Sequence, residues 1–153
     1  MTKKEIENLK QETIALLSEI GTQAEVKVDF LKEENLLNIQ IDSPQAAYLI
    51  GFHGETLQAL QLILTFFVHK QIGSWMKLNV NVGDYRQKRE EQLKKLALNL
   101  AMKAKFSKEA QSIPNLNSME RRFIHLILAD HPDVYTQSEG EGRERQLIIK
   151  PKA

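Results

Sequence analysis

The chain contains no cysteine among its 153 residues, which removes disulfides and thiolate metal sites and leaves no argument for an oxidising compartment. No apolar run approaches the ~18 residues a membrane span requires, and the first residues have no apolar core of the signal-peptide kind. The expectation is a soluble, cytoplasmic protein. Aromatic residues are scarce at 7%, and the net charge is only +1, so bulk electrostatics neither demand nor exclude a polyanionic partner. Catalytic patterns are also missing: there is no nucleophile elbow, phosphate-binding lysine loop or paired-carboxylate motif. His53, His69, His125 and His131 fall in separate segments, with no carboxylate at ligand spacing beside a histidine pair. Neither a metal, nor a cofactor, nor an enzymatic activity is expected.

What is present is enough apolar material for a core, 42% of the chain, and an uneven distribution of charge. Through Gly83 there are 7 basic against 10 acidic residues; from Asp84 onward there are 14 against 10. Positive charge is concentrated in the second half.

The apolar spacing of Ile6, Leu9, Ile14, Leu16, Leu17 and Ile20 predicts a helix from Thr2 to about Ile20, closed by Gly21. Val26, Val28 and Phe30 alternate with polar residues, as do Leu37, Ile39 and Ile41 beyond a polar turn, which predicts a hairpin with one wet face. Ser43-Pro44 reads as a helix start with Ser43 as cap. That helix is short and ends at Gly51. After Gly54 a second helix carries Leu57, Leu60, Leu64 and Phe67 on one stripe, with Ile63 and Phe66 beside it. Leu78, Val80 and Val82 then alternate as a third strand.

Gly51-Phe52-His53-Gly54 therefore sits between two helices. A glycine pair there permits a sharp turn and leaves no side chain to hold a ligand's backbone away. The first turn of the following helix favours phosphate. A plain tight turn between packed helices is the other reading of the same letters.

Gly83-Asp84 starts a further helix, charged in its first turns, with Leu93, Leu96 and Leu100 later and an end near Phe106. Its basic start reads equally as a solvated surface or a contact. A short edge strand is the most that Ile113-Pro114 allows. Asn117 can cap a helix whose Glu120 reaches back three residues. On that helix Arg121, Arg122, His125 and Ala129 fall opposite a broad apolar arc of Met119, Phe123, Ile124, Leu126, Ile127 and Leu128. Adjacent arginines would repel a cation; arginine beside imidazole suits phosphate and base contacts. Val134 to Ser138 and Gln146 to Lys150 read as two strands joined by a loop holding Arg143 and Arg145.

The order helix, strand, strand, helix, glycine loop, helix, strand resembles the type II KH domain of bacterial proteins. Arg121 to His125, with Leu126-Ile127-Leu128 and the run Thr136 to Gly142, resembles the R-three-H (Arg-x-x-x-His) domain, a module that binds single-stranded nucleic acid. The two in succession, with Gly83 to Glu91 and Ser118 to Leu126 matching at the junction and the Arg/His helix, are similar to the bacterial Jag (SpoIIIJ-associated) family.

The resemblance implies an α+β protein with a type II KH domain over 1–83 and an R-three-H domain over 84–153, including a linking helix over 84–106. It implies a non-enzymatic, single-stranded RNA-binding protein, with ssDNA as an alternative ligand and another small KH protein as an alternative partner. The associated role is post-transcriptional regulation tied to cell division or the envelope; the alternative is a protein-interaction adapter with little RNA affinity. The site residues would be Ile50, Gly51, Phe52, His53, Gly54 and Leu57 in the first domain and Arg121, Arg122, His125, Arg143 and Arg145 in the second.

Two departures stand out. Family members usually carry basic residues between the glycines, whereas Phe52-His53 stands here, which weakens phosphate capture and leaves Phe52 to stack on a base or fold inward. The extra N-terminal Jag domain of many members is not expected in this sequence.

Overall fold

The computed structural model describes residues 1–153. Two compact units emerge, Met1–Arg86 and Gln87–Ala153, each α+β. No helix is long and apolar enough to cross a membrane.

The first unit runs α1 (Lys3–Glu19), β1 (Glu25–Leu31), β2 (Leu36–Asp42), α2 (Ala46–Ile50), a 3₁₀ turn (Phe52–Gly54), α3 (Glu55–Ile72) and β3 (Lys77–Val82). β1 pairs antiparallel with β2, and β2 pairs parallel with β3. The register aligns three apolar rows across the sheet: Val26, Ile41, Val82; then Val28, Ile39, Val80; then Phe30, Leu37, Leu78. Those rows, with Leu9 and Leu17 of α1 and Leu57, Leu60, Leu64 and Val68 of α3, make the first core. The opposite face is held by amides, with Asn79 Nδ2 donating to Asn38 Oδ1 and Asn81 Nδ2 to Gln40 Oε1, both at 3.1 Å.

Two expectations for this unit need correction. α2 begins at Ala46, not at Pro44, because Ser43 is occupied in a turn: its hydroxyl donates to Gln23 O at 2.6 Å and accepts from Gln45 N at 3.1 Å. The inner face of α3 is also narrower than the letters suggest. Ile63 and Phe66 are 43% and 54% exposed, and Val68, not Phe67, completes the buried stripe.

The unit ends two residues into α4 (Tyr85–Ser107) because Arg86 bonds back to it. Its Nε donates to Val80 O and its Nη2 to Gln61 Oε1, each at 2.8 Å. The basic start of α4 is thus partly a structural contact.

In the second unit β4 (Gln111–Ile113), β6 (Gln146–Pro151) and β5 (Val134–Glu139) form an antiparallel sheet with β6 central. α4 and α5 (Ser118–Leu128) share a core with it that includes Ile113, Ile124, Leu128, Val134, Leu147 and Ile149. α4 contributes Leu93, Ala97, Ala101 and Ala104, which are buried, while Leu96 is 39% exposed. Small side chains allow its backbone close approach; of the leucines in the sequence pattern Leu93 is buried and Leu100 packs against the core, and Leu96 does not face inward.

Candidate nucleic-acid interface

α2 stops because Gly51 adopts φ 70°, ψ −171°, a region essentially reserved for glycine. A Cβ at this position would collide with Thr56 Oγ1 and sit 2.8 Å from Thr56 Cβ. The chain then turns through Phe52 and His53 (φ 51°) to Gly54 (φ 82°), which is buried. A Cβ on Gly54 would lie 2.9 Å from the Tyr85 hydroxyl and 3.2 Å from Tyr85 Cε1, so this chain's own ring occupies the space beside the second glycine.

The amides of the loop are largely engaged as well. Gly51 N–H donates to Ala47 O at 2.9 Å, Gly54 N–H to Gly51 O at 3.4 Å, and Glu55 N–H to Phe52 O. The N–H groups of both glycines thus already have acceptors at the helix end and within the turn. Leu57, also among the expected site residues, is 4% exposed and belongs to the first core. Ile50 packs half-buried against the same core. What the loop offers outward is Phe52, 67% exposed, with its ring centroid 4.1 Å from that of His53 and the rings tilted by 45°. Tyr48, four residues earlier, is 78% exposed.

In the second unit α5 starts with the anticipated capping box: Asn117 Oδ1 accepts from Glu120 N at 2.9 Å, and Glu120 Oε2 accepts from Asn117 N at 3.1 Å. The other carboxylate oxygen of Glu120 takes Arg89 Nε at 2.7 Å. Arg121 is half-buried, and its Nη1 donates to Leu116 O at 2.6 Å, which ties α5 to the segment before it. Arg122 and His125 are exposed. His125 Nδ1 bonds Thr136 Oγ1 of β5 at 2.5 Å, so the side chain of an exposed histidine is oriented by the sheet.

The apolar arc of α5 is corrected at two positions. Met119 and Leu126 are 74% and 63% exposed and share the solvent face with Arg122, while Ile124 and Leu128 carry the buried face. Arg143, in a 3₁₀ turn over Gly142–Glu144, and Arg145 are exposed on the β5–β6 connection.

Residues 91–151 match the family model of the R-three-H domain. Across the chain, the RNA-binding protein KhpB of Clostridium symbiosum is 31% identical over 153 residues, covering 97% of this chain and 69% of that protein. This chain belongs to the KhpB family. The KhpB of Lactiplantibacillus plantarum is 32% identical over 136 residues, 89% of this chain and 42% of its own. That of Streptococcus pneumoniae serotype 2 is 27% identical over 150 residues, 97% and 46%. The chain thus spans about two thirds of the first KhpB and less than half of the other two. KhpB is the Jag-family assignment that the motifs implied.

Three contributors to these surfaces are not legible in the sequence of this KhpB-family chain: Tyr85 beside Gly54, Arg89 on Glu120, and Thr136 on His125. Each partner lies 11 or more positions away on another element, and no local spacing rule reaches that far.

Proposed function

We propose that the chain binds single-stranded RNA without catalysing a reaction, as a post-transcriptional regulator in the cytoplasm linked to cell division or the envelope. In this proposal the first unit acts as a type II KH domain over 1–83, and the second, with its linking helix from 84, as the R-three-H domain. The observation that carries the reading is the solvent face of α5, where exposed Arg122 and His125 are neighbours three residues apart and Thr136 holds the imidazole in place. A guanidinium presents a planar fork to phosphate, and an oriented imidazole adds a second donor or acceptor to a nucleotide. Arg143 and Arg145 are further cationic contacts. The R-three-H match and the names of the KhpB relatives as RNA-binding proteins support the same reading.

The test is a titration of short single-stranded RNA, with DNA of the same sequence alongside, at several salt concentrations. Phosphate contacts make log K fall linearly with log salt. No binding of RNA even at low salt would end the proposal.

A second reading, an adapter that contacts another small KH protein, is favoured by the outer face of α3. Leu62, Ile63 and Phe66 are exposed there, and the ring of exposed Trp75 lies 5.9 Å from Phe66. A stoichiometric complex with such a protein in sedimentation, with no RNA bound, would select it.

A further inference from the structure

The glycine loop has the shape of a phosphate clamp and little of the chemistry. No lysine or arginine occurs between Lys32 and Lys70, and the first residue of α3 is the acidic Glu55. A carboxylate in the first turn sets a full negative charge against the roughly half positive charge of the helix N-terminus, so a phosphate gains little there. The N–H groups of Gly51, Gly54 and Glu55 already donate to carbonyls of the same turn and helix end. Tyr85 fills the space that the missing side chain of Gly54 leaves.

The same geometry displays one flat apolar surface. Phe52 is 67% exposed, and its backbone runs between Gly51 at φ 70° and His53 at φ 51°. Its ring lies against the His53 ring, so it is braced and loses little freedom when a ligand arrives. Tyr48 places a second exposed ring on α2, just before the loop. A single-stranded base is uncharged, planar and half-desolvated by stacking, which is the chemistry a braced aromatic ring in a neutral loop accepts.

We propose that the glycine loop takes one unpaired nucleobase by stacking it on Phe52. This rests on the RNA-binding reading above, with the charge-dependent part of the affinity carried by the second unit. Stacking on a π face tolerates any base, so the loop adds affinity without sequence choice.

The experiment compares wild type, Phe52→Ala, Phe52→Leu and Phe52→Trp on a short single-stranded RNA and on an abasic ribose-phosphate strand of equal length. The full chain is used, and circular dichroism checks that each variant is folded. Phe52→Ala and Phe52→Leu should each weaken binding to the RNA roughly 5- to 150-fold with the salt slope unchanged, and Phe52→Trp should retain it. Affinity for the abasic strand should be the same in all four proteins. The stacking proposal is overturned, with the RNA-binding reading intact, if wild type binds RNA and the Phe52 variants match it. An equal loss on both strands overturns it too, because then the base is not what the ring touches. If wild type binds neither strand, both proposals fall.

Discussion

Arg89 Nε lies 2.7 Å from Glu120 Oε1, and the carboxylate that receives it is also the carboxylate that closes the capping box of α5. One buried glutamate, 7% exposed, thus anchors the start of the Arg/His helix to α4 and accepts the Asn117 N–H at the same time. Removing one partner of such a pair leaves the other charge short of both water and counter-charge. Arg89→Ala should therefore destabilise the second unit by about 3 kcal/mol, the lower end for buried pairs, since the guanidinium keeps 19% exposure. Hydrogen exchange in the first turn of α5 reads the effect directly; unchanged protection there would show that the ion pair does not hold the helix.

Gly54 is constrained by the fold before any ligand is considered. Gly54→Asp should destabilise the first unit, not merely weaken binding, because φ 82° and a Cβ 2.9 Å from the Tyr85 hydroxyl both oppose a side chain. The backbone component alone is about 1–3 kcal/mol. Combining Gly54→Ala with Tyr85→Phe should recover part of the loss, measured as a coupling in a thermal double-mutant cycle. Additive effects would mean that the ring does not press on residue 54.

Arg121 and Arg122 are adjacent in sequence and differ in surroundings, the first half-buried on Leu116 O and the second exposed. Arg122→Ala should leave the melting temperature unchanged and reduce the salt slope of RNA binding by about 0.7, the value for one lost phosphate contact on a single strand. Arg121→Ala should lower the melting temperature, because its guanidinium holds Leu116 O at 2.6 Å. The reverse pattern would place the ligand contact on Arg121.

In the proposed RNA contact Thr136 acts only through His125, whose Nδ1 it bonds. Thr136→Val should lower affinity about fivefold, the equivalent of one hydrogen bond, and Thr136→Ser should restore it. In the His125→Ala background the Thr136 substitution should have no further effect, and a residual effect would separate the two residues.

On the surface of the second unit, a hydrogen bond from the Lys105 ammonium at 2.9 Å lowers the pKa of the Asp133 carboxyl from its ordinary value, with the charges of Lys105, His131 and Lys108 adding to it. A carboxyl depressed in the folded state contributes stability above its unfolded pKa and loses it as the pH falls through the folded one. Lys105→Met should move the Asp133 titration upward when followed by NMR. An unmoved titration would show that Lys105 is not the cause.

The sequence alone was sufficient for the element order of both units, the hairpin and third strand, and the capping box at Asn117, because these depend on spacing within a few residues. Period two writes a strand and period 3.6 a helix, and Asn117 and Glu120 are three apart. It was not sufficient for which apolar residues face inward. Ile63, Phe66, Met119 and Leu126 look like core residues by type and are exposed, while Ala97, Ala101 and Ala104 do the packing. Only the tertiary structure decided that Phe52 points outward, that Gly54 is covered by Tyr85, and that His125 is oriented by Thr136. The last two relations join residues that the chain keeps far apart, and all three exist only once the sheet register and helix docking have brought the side chains to their places.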